Sequence, residues 1–147
     1  MIYFMKALGE VWRCANLYRT GKYGELGLGS YQDSYILNIC RQPGITQEQL
    51  SRLIYVHKSS VARQLGALEE KGFITRTPDP DDKRSLLVYP TQKALDALPF
   101  IREVHAKWNA LILSGFSPQE QKDIEKYVKR LAENAKRVLE GEELKPE

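Results

Sequence analysis

The chain has 147 residues, 42% of them apolar and 28% charged, with a formal charge of +3. This is the balance of a folded domain with a real core, and it argues against disorder and against a strongly basic or acidic binding tail. Two cysteines, Cys14 and Cys40, exclude a secreted disulfide framework, and no unbroken apolar run reaches the length of a membrane span. Residues 1–10 lack a basic leader with an apolar run and a cleavage site, so a cytoplasmic protein is the expectation. The small positive excess falls in the first two thirds. Residues 1–90 hold 12 Lys/Arg against 9 Asp/Glu, and residues 91–147 hold 10 of each.

In chain order, Phe4, Leu8, Val11, Trp12, Ala15 and Tyr18 recur at three- and four-residue spacing and predict a helix over residues 3–20. Gly21, Gly24, Gly27 and Gly29 break it, and Ser30 is the expected cap of a second helix carrying Tyr35, Ile36, Ile39 and Cys40. Arg41-Gln-Pro-Gly44 ends that helix. Thr46-Gln-Glu-Gln49 reads as a capping box, opening a short helix with Leu50, Leu53 and Ile54 facing inward. Tyr55-Val-His57 interrupts it. A further helix runs from about Lys58 to Lys71 on Val61, Leu65 and Leu68, with Gly72 as a left-handed cap.

The period then switches to two. Residues 73–77 and 85–89 read as strands, and the polar segment Pro78-Asp-Pro-Asp-Asp-Lys-Arg84 joins them as a hairpin. Thr91 opens a long helix through Leu95, Leu98, Ile101, His105, Trp108 and Ile112, with an expected bend at Pro99. Ser117-Pro-Gln-Glu120 is a second capping box. It starts a last helix with Ile124, Tyr127, Val128, Leu131, Ala135 and Val138 on one stripe. The polar tail from Gly141 is expected to fray.

Capped helix, tight break, second helix and basic hairpin over residues 46–90 form the pattern of a winged helix-turn-helix. Its second helix enters the major groove with its first turns against base edges. Those turns carry Lys58, Ser59, Ser60, Arg63 and Gln64. Arg63 has the fork for guanine and Gln64 the amide for adenine, and the serines suit phosphate or base contacts. Glu69 and Glu70 at the helix end would repel phosphate. The hairpin adds Arg76, Lys83 and Arg84, and a guanidinium at its tip suits a narrow minor groove. The same arrangement also occurs in dimeric protein-interaction modules that read no DNA.

The run from Leu68 to Thr91 (LEEKGFITRTPDPDDKRSLLVYPT), preceded by Ser60-Val-Ala-Arg63, resembles the MarR family of transcriptional regulators over about residues 5–140. The resemblance implies a mainly α fold with a small β-hairpin wing in a single domain over residues 1–147. Residues 30–90 would form the DNA-binding lobe, and residues 3–20 and 91–139 the dimerisation helices. It further implies a homodimer on a palindromic double-stranded operator, acting as a repressor released by a small-molecule or oxidative signal. Arg84 would be the wing arginine and Asp82 the residue that orients it. The chain departs from the family pattern at Gly66 and Ala67, where bulkier polar residues are common, at Ala94 and at Pro90.

Cys14 lies four residues before Tyr18 on the same helix face. It reads either as a small packing residue or, by resemblance to the family's organic-peroxide sensors, as a redox thiol. Trp12, Tyr18, Tyr31, Tyr35 and Trp108 read either as core or as the wall of a pocket for a small aromatic effector, which some relatives bind. His57 and His105 are the only histidines and have no metal-ligand spacing with the cysteines, so neither metal nor cofactor is expected. Gly24-Glu-Leu-Gly27-Leu-Gly29 lacks the lysine and preceding strand of a phosphate loop, and no motif pairs a nucleophile with a base. An enzyme is not expected.

Overall fold

A computed structural model describes residues 3–141. Six helices and three short strands follow in the order α1 (Phe4–Lys22), α2 (Gln32–Arg41), β1 (Ile45–Thr46), α3 (Gln47–Ile54), α4 (Lys58–Glu70), β2 (Ile74–Pro78), β3 (Leu86–Pro90), α5 (Gln92–Ile112) and α6 (Pro118–Leu139), with a 3₁₀ turn at Gly24–Leu26. The chain divides into two compact units, the boundary falling between Trp108 and Asn109 inside α5. The tail beyond Gly141 lies outside the described residues.

In the first unit the apolar periodicities converge on one core. Ile36 and Ile39 of α2, Leu50 of α3, Val61, Leu65 and Leu68 of α4, Phe73, Ile74 and Val88 of the hairpin and Ile101 of α5 are all buried. Each such side chain contributes about 1.5–3 kcal/mol on leaving water. The sheet is antiparallel in the order β1-β3-β2, with Ile45 opposite Val88 and Arg76 opposite Val88 on the other side. The third strand was absent from the sequence expectations. Two residues carry no readable alternation, and they are extended because β3 lies alongside, the Gly44 amide bonding Val88 O at 2.8 Å.

Local chemistry sets the element ends. Thr46 and Gln49 exchange both capping-box bonds at 3.0 Å. Gly72, at φ 80°, ends α4 in a Schellman motif. Its amide bonds Glu69 O, and the Phe73 amide bonds Leu68 O. The α3–α4 break has Tyr55 in the left-handed region (φ 54°), braced by the Ser51 hydroxyl donating to Val56 O at 2.6 Å. His57 then caps α4 with its ring nitrogen, accepting from the Ser59 amide.

Three sequence expectations need correction. Gly21 does not end the first helix, which runs to Lys22. Ser30 does not cap α2: Tyr31 holds that position at φ 65°, and the Ser30 hydroxyl instead accepts from the Asn16 amide at 3.3 Å. Leu53 is exposed rather than inward, because only Leu50 and Ser51 of α3 are buried.

In the second unit Ser117 and Glu120 complete their capping box, and Gln121 Nε2 donates to Leu113 O and Phe116 O, closing the turn before α6. No residue of α6 is buried. The stripe of Tyr127, Val128, Leu131 and Val138 is present but uncovered, as are Leu8, Val11 and Leu17 of α1. Among the described residues no helix is long and apolar enough to cross a membrane.

Candidate nucleic-acid interface

With Val61, Leu65 and Leu68 turned into the core, α4 presents Lys58, Ser59 and Arg63 to solvent, while Ser60 and Gln64 are half-buried on its flanks. Lys58 Nζ meets Glu48 Oε1 at 3.1 Å. Both partners are well exposed, so this pair is worth at most about 1 kcal/mol and yields readily to a phosphate.

The wing turn is built by its acids. Asp79 Oδ1 accepts from the Asp81 amide at 2.9 Å. Asp82 Oδ1 accepts from the Arg84 amide at 3.0 Å and Oδ2 from the Ser85 hydroxyl at 3.2 Å. Asp82 thus acts on the Arg84 main chain, and Lys83 and Arg84 are left exposed at the tip. Arg84 and Lys58 line one shallow depression of about 210 Å³ together with Thr46, Gln47 and Glu48 at the start of α3. The wing and the first turn of α4 therefore meet at one depression, where Lys58 and Arg84 stand beside Glu48 and the start of α3.

Two of the expected contacts are differently engaged. Gln32, buried at the start of α2, accepts on Oε1 from the Gly29 amide and from Lys71 Nζ, both at 2.8 Å. Its Nε2 must then donate, and it does so to Gln64 Oε1 at 3.1 Å. Gln64 is held toward α2, which leaves base-edge reach to Arg63. Arg76, in the middle of β2, turns to the protein: Nη2 pairs with Glu69 Oε1 at 3.1 Å and Nη1 donates to Gln47 Oε1 at 3.0 Å. The Nη2–Glu69 hydrogen bond holds the Glu69 carboxyl below its ordinary range.

The aromatic residues form two pairs and a core residue. Trp12 stacks on Tyr31 (5.8 Å, 12°), Tyr18 tilts against Trp108 (5.3 Å, 40°), and Tyr35 is buried in the core. Cys14 is exposed on α1, whereas burial pushes the half-buried Cys40 thiol up.

A buried polar cluster beside these rings went unanticipated. Asp33, only 2% exposed, has Oδ2 3.2 Å from Arg19 Nε, 2.8 Å from His105 Nε2 and 3.0 Å from the donating Tyr23 hydroxyl. Burial pushes the Asp33 carboxyl up. The His105 hydrogen bond, the Arg19 charge and the Tyr23 hydroxyl together outweigh burial, and the carboxyl sits below its ordinary range. Tyr23 is driven well above the phenol range by burial and by Asp33. Arg19 lies 5.6 Å from the Trp12 ring, and its Nε and Nη2 are buried without an aligned hydrogen bond. A signal existed in the sequence: Arg19 follows Ala15 by four on the inward face of α1, and Asp33 precedes Ile36 by three on that of α2.

The model of the MarR family matches residues 32–86, from α2 to the start of β3. An uncharacterized HTH-type transcriptional regulator of Bacillus subtilis, YybA, is 29% identical over 136 residues, covering 92% of this chain and 91% of its own. A crystal structure of MarR is 32% identical, with a TM-score of 0.88 and 95% of each chain covered. A putative MarR family transcriptional regulator from Listeria monocytogenes, crystallised with a 26mer DNA, is 25% identical, with a TM-score of 0.83 and 97% of this chain and 98% of that chain covered. Identity and fold agree over nearly the whole length, and the chain belongs to the MarR family.

Proposed function

We propose that this protein is a DNA-binding transcriptional regulator that acts as a homodimer on a palindromic double-stranded site. The observation that carries the reading is the depression that Lys58 of α4 and Arg84 of the wing line together, in a chain of this family. α4 enters the major groove, where Arg63 reads guanine and Lys58, Ser59 and Ser60 meet phosphates or base edges. Lys83 and Arg84 follow the backbone into the neighbouring minor groove, with Asp82 ordering the turn that carries them.

The uncovered apolar stripes of α1 and α6 support pairing with a second copy of the chain, since a patch of that kind is costly in water. In the cytoplasm such a dimer represses by occupying its site. The Trp12–Tyr31 stack beside Arg19 supports release by a small aromatic effector. The exposed Cys14 is the thiol an oxidative signal would reach.

Selection of bound sequences from a random duplex pool tests the proposal. The expected result is a palindrome with half-sites about one helical turn apart and an affinity that falls steeply with salt. Recovery of no common sequence, with weak binding indifferent to salt, would leave a winged-helix protein-interaction module as the function.

A further inference from the structure

We infer that Arg76 is the positioning residue of the wing, acting through Glu69 and Gln47 and not through a DNA phosphate. Three elements meet on this one side chain. It stands in the middle of β2, opposite Val88 of β3. Its main-chain amide donates to Glu69 Oε2 at 3.0 Å, and Nη2 donates to Glu69 Oε1 at 3.1 Å, so the carboxylate in the last turns of α4 grips both backbone and guanidinium. Nη1 reaches Gln47 Oε1, in the first turn of α3, at 3.0 Å. Nε is buried without a partner, an expense met only because the other contacts hold the group in place.

The surroundings agree with a latch. The α4 backbone comes against the guanidinium at Gly66, where an added β-carbon would touch Nη2 at 3.8 Å. The Arg76 side chain is only 20% exposed, and its charge is matched by Glu69. An arginine with Nη2 engaged by a carboxylate and Nη1 by an amide oxygen has little left for a phosphate. What it does hold is the placement of the hairpin on the reading helix. Arg63 and Arg84 can occupy neighbouring grooves together only if that placement is kept. Glu69, which looked merely repulsive toward DNA, becomes half of the device.

The consequence for binding rests on the DNA-binding proposal; the latch itself does not. Two measurements on the full chain keep them apart. In the free protein, hydrogen exchange of the Asp79, Arg84 and Ser85 amides is compared among the parent, Arg76→Ala, Arg76→Lys and Glu69→Gln. A latch speeds exchange in all three variants, least in Arg76→Lys, which keeps the charge but not the fork. Unchanged exchange in Glu69→Gln overturns the latch whatever DNA does.

The same proteins are then titrated with the selected duplex over a range of salt. A latch predicts that Arg76→Ala and Glu69→Gln both weaken binding, on the order of tenfold for Arg76→Ala, at an unchanged salt slope. Preference at the flanking steps should flatten while preference under α4 is kept. A phosphate contact predicts the opposite sign for Glu69→Gln, which would tighten binding by freeing the cation, and a salt slope lowered by about one per lost contact in Arg76→Ala. That pair of results overturns the inference. Faster exchange in a protein that binds no duplex would sustain the latch and remove the DNA reading instead.

Discussion

Replacing Asp33 with asparagine keeps the shape of the side chain and removes its charge. Arg19, 7% exposed, is then left as a buried cation without its counter-ion, and His105 and Tyr23 lose a charged acceptor. Breaking a buried ion pair from one side costs about 3–5 kcal/mol. The hydrogen bonds give a similar figure, since one to a charged group is worth about 1.5–3 kcal/mol and Asp33 Oδ2 accepts from both His105 and Tyr23. For a chain of this size the loss lowers the melting temperature by roughly 10–15 °C. The effect also depends on pH. Asp33 sits below the ordinary aspartate value of 3.8 in the fold, so its contribution is complete above that value. It disappears as the pH falls through the lower, folded value. The parent therefore loses stability on acidification, and Asp33→Asn flattens that limb. Urea unfolding followed by tryptophan fluorescence, at fixed protein concentration and several pH values, measures both effects. Adding Arg19→Met to Asp33→Asn should recover part of the loss, because no orphan charge then remains. A loss below about 1 kcal/mol at pH 7, or an acid limb identical to the parent's, would refute the reasoning.

Arg63→Ala should cost about 1–3 kcal/mol of duplex affinity and relax preference at one position per half-site. Arg84→Ala should weaken binding to most sequences and flatten the salt dependence, with selectivity changing at flanking A·T steps; equal losses on a panel of single-base operator variants would remove both assignments. Sedimentation at micromolar concentration should show a dimer, and Leu131→Glu, in the uncovered α6 stripe, should shift it toward monomer. A stable parent monomer would defeat that. Cys14→Ser should leave the response to mild peroxide as in the parent if the thiol is structural, whereas peroxide release of DNA by the parent alone would make Cys14 the sensor.

Much of the local structure was legible in the chain itself. The capping boxes at Thr46 and Ser117, the glycine cap at Gly72 and the heptad-like spacing of Val61, Leu65 and Leu68 are short-range chemistry, complete within a turn or two of backbone. The run LEEKGFITRTPDPDDKR carried the family resemblance for the same reason, because turn acids and wing cations lie within one local segment. Lys58, Arg63, Lys83 and Arg84 were exposed as expected, since the apolar period that buries one face of a helix or hairpin leaves the other to solvent.

Other features required the tertiary structure. β1 is extended only because β3 lies beside it, and Leu53 fits the apolar period of α3 yet is exposed. The Asp33 cluster gathers Arg19, Tyr23 and His105 around one carboxylate, and the His105–Asp33 bond alone spans 72 positions, so no local pattern announces it. Arg76 and Gln64 were read as DNA contacts from residue type and from their places on the hairpin and the second helix of the pair. Their side chains are held by Glu69, Gln47 and Gln32, whose positions no local pattern specifies. A sequence states which groups can form a hydrogen bond. Which partner is within 3 Å, and whether water has been excluded around the pair, is decided when the chain closes on itself.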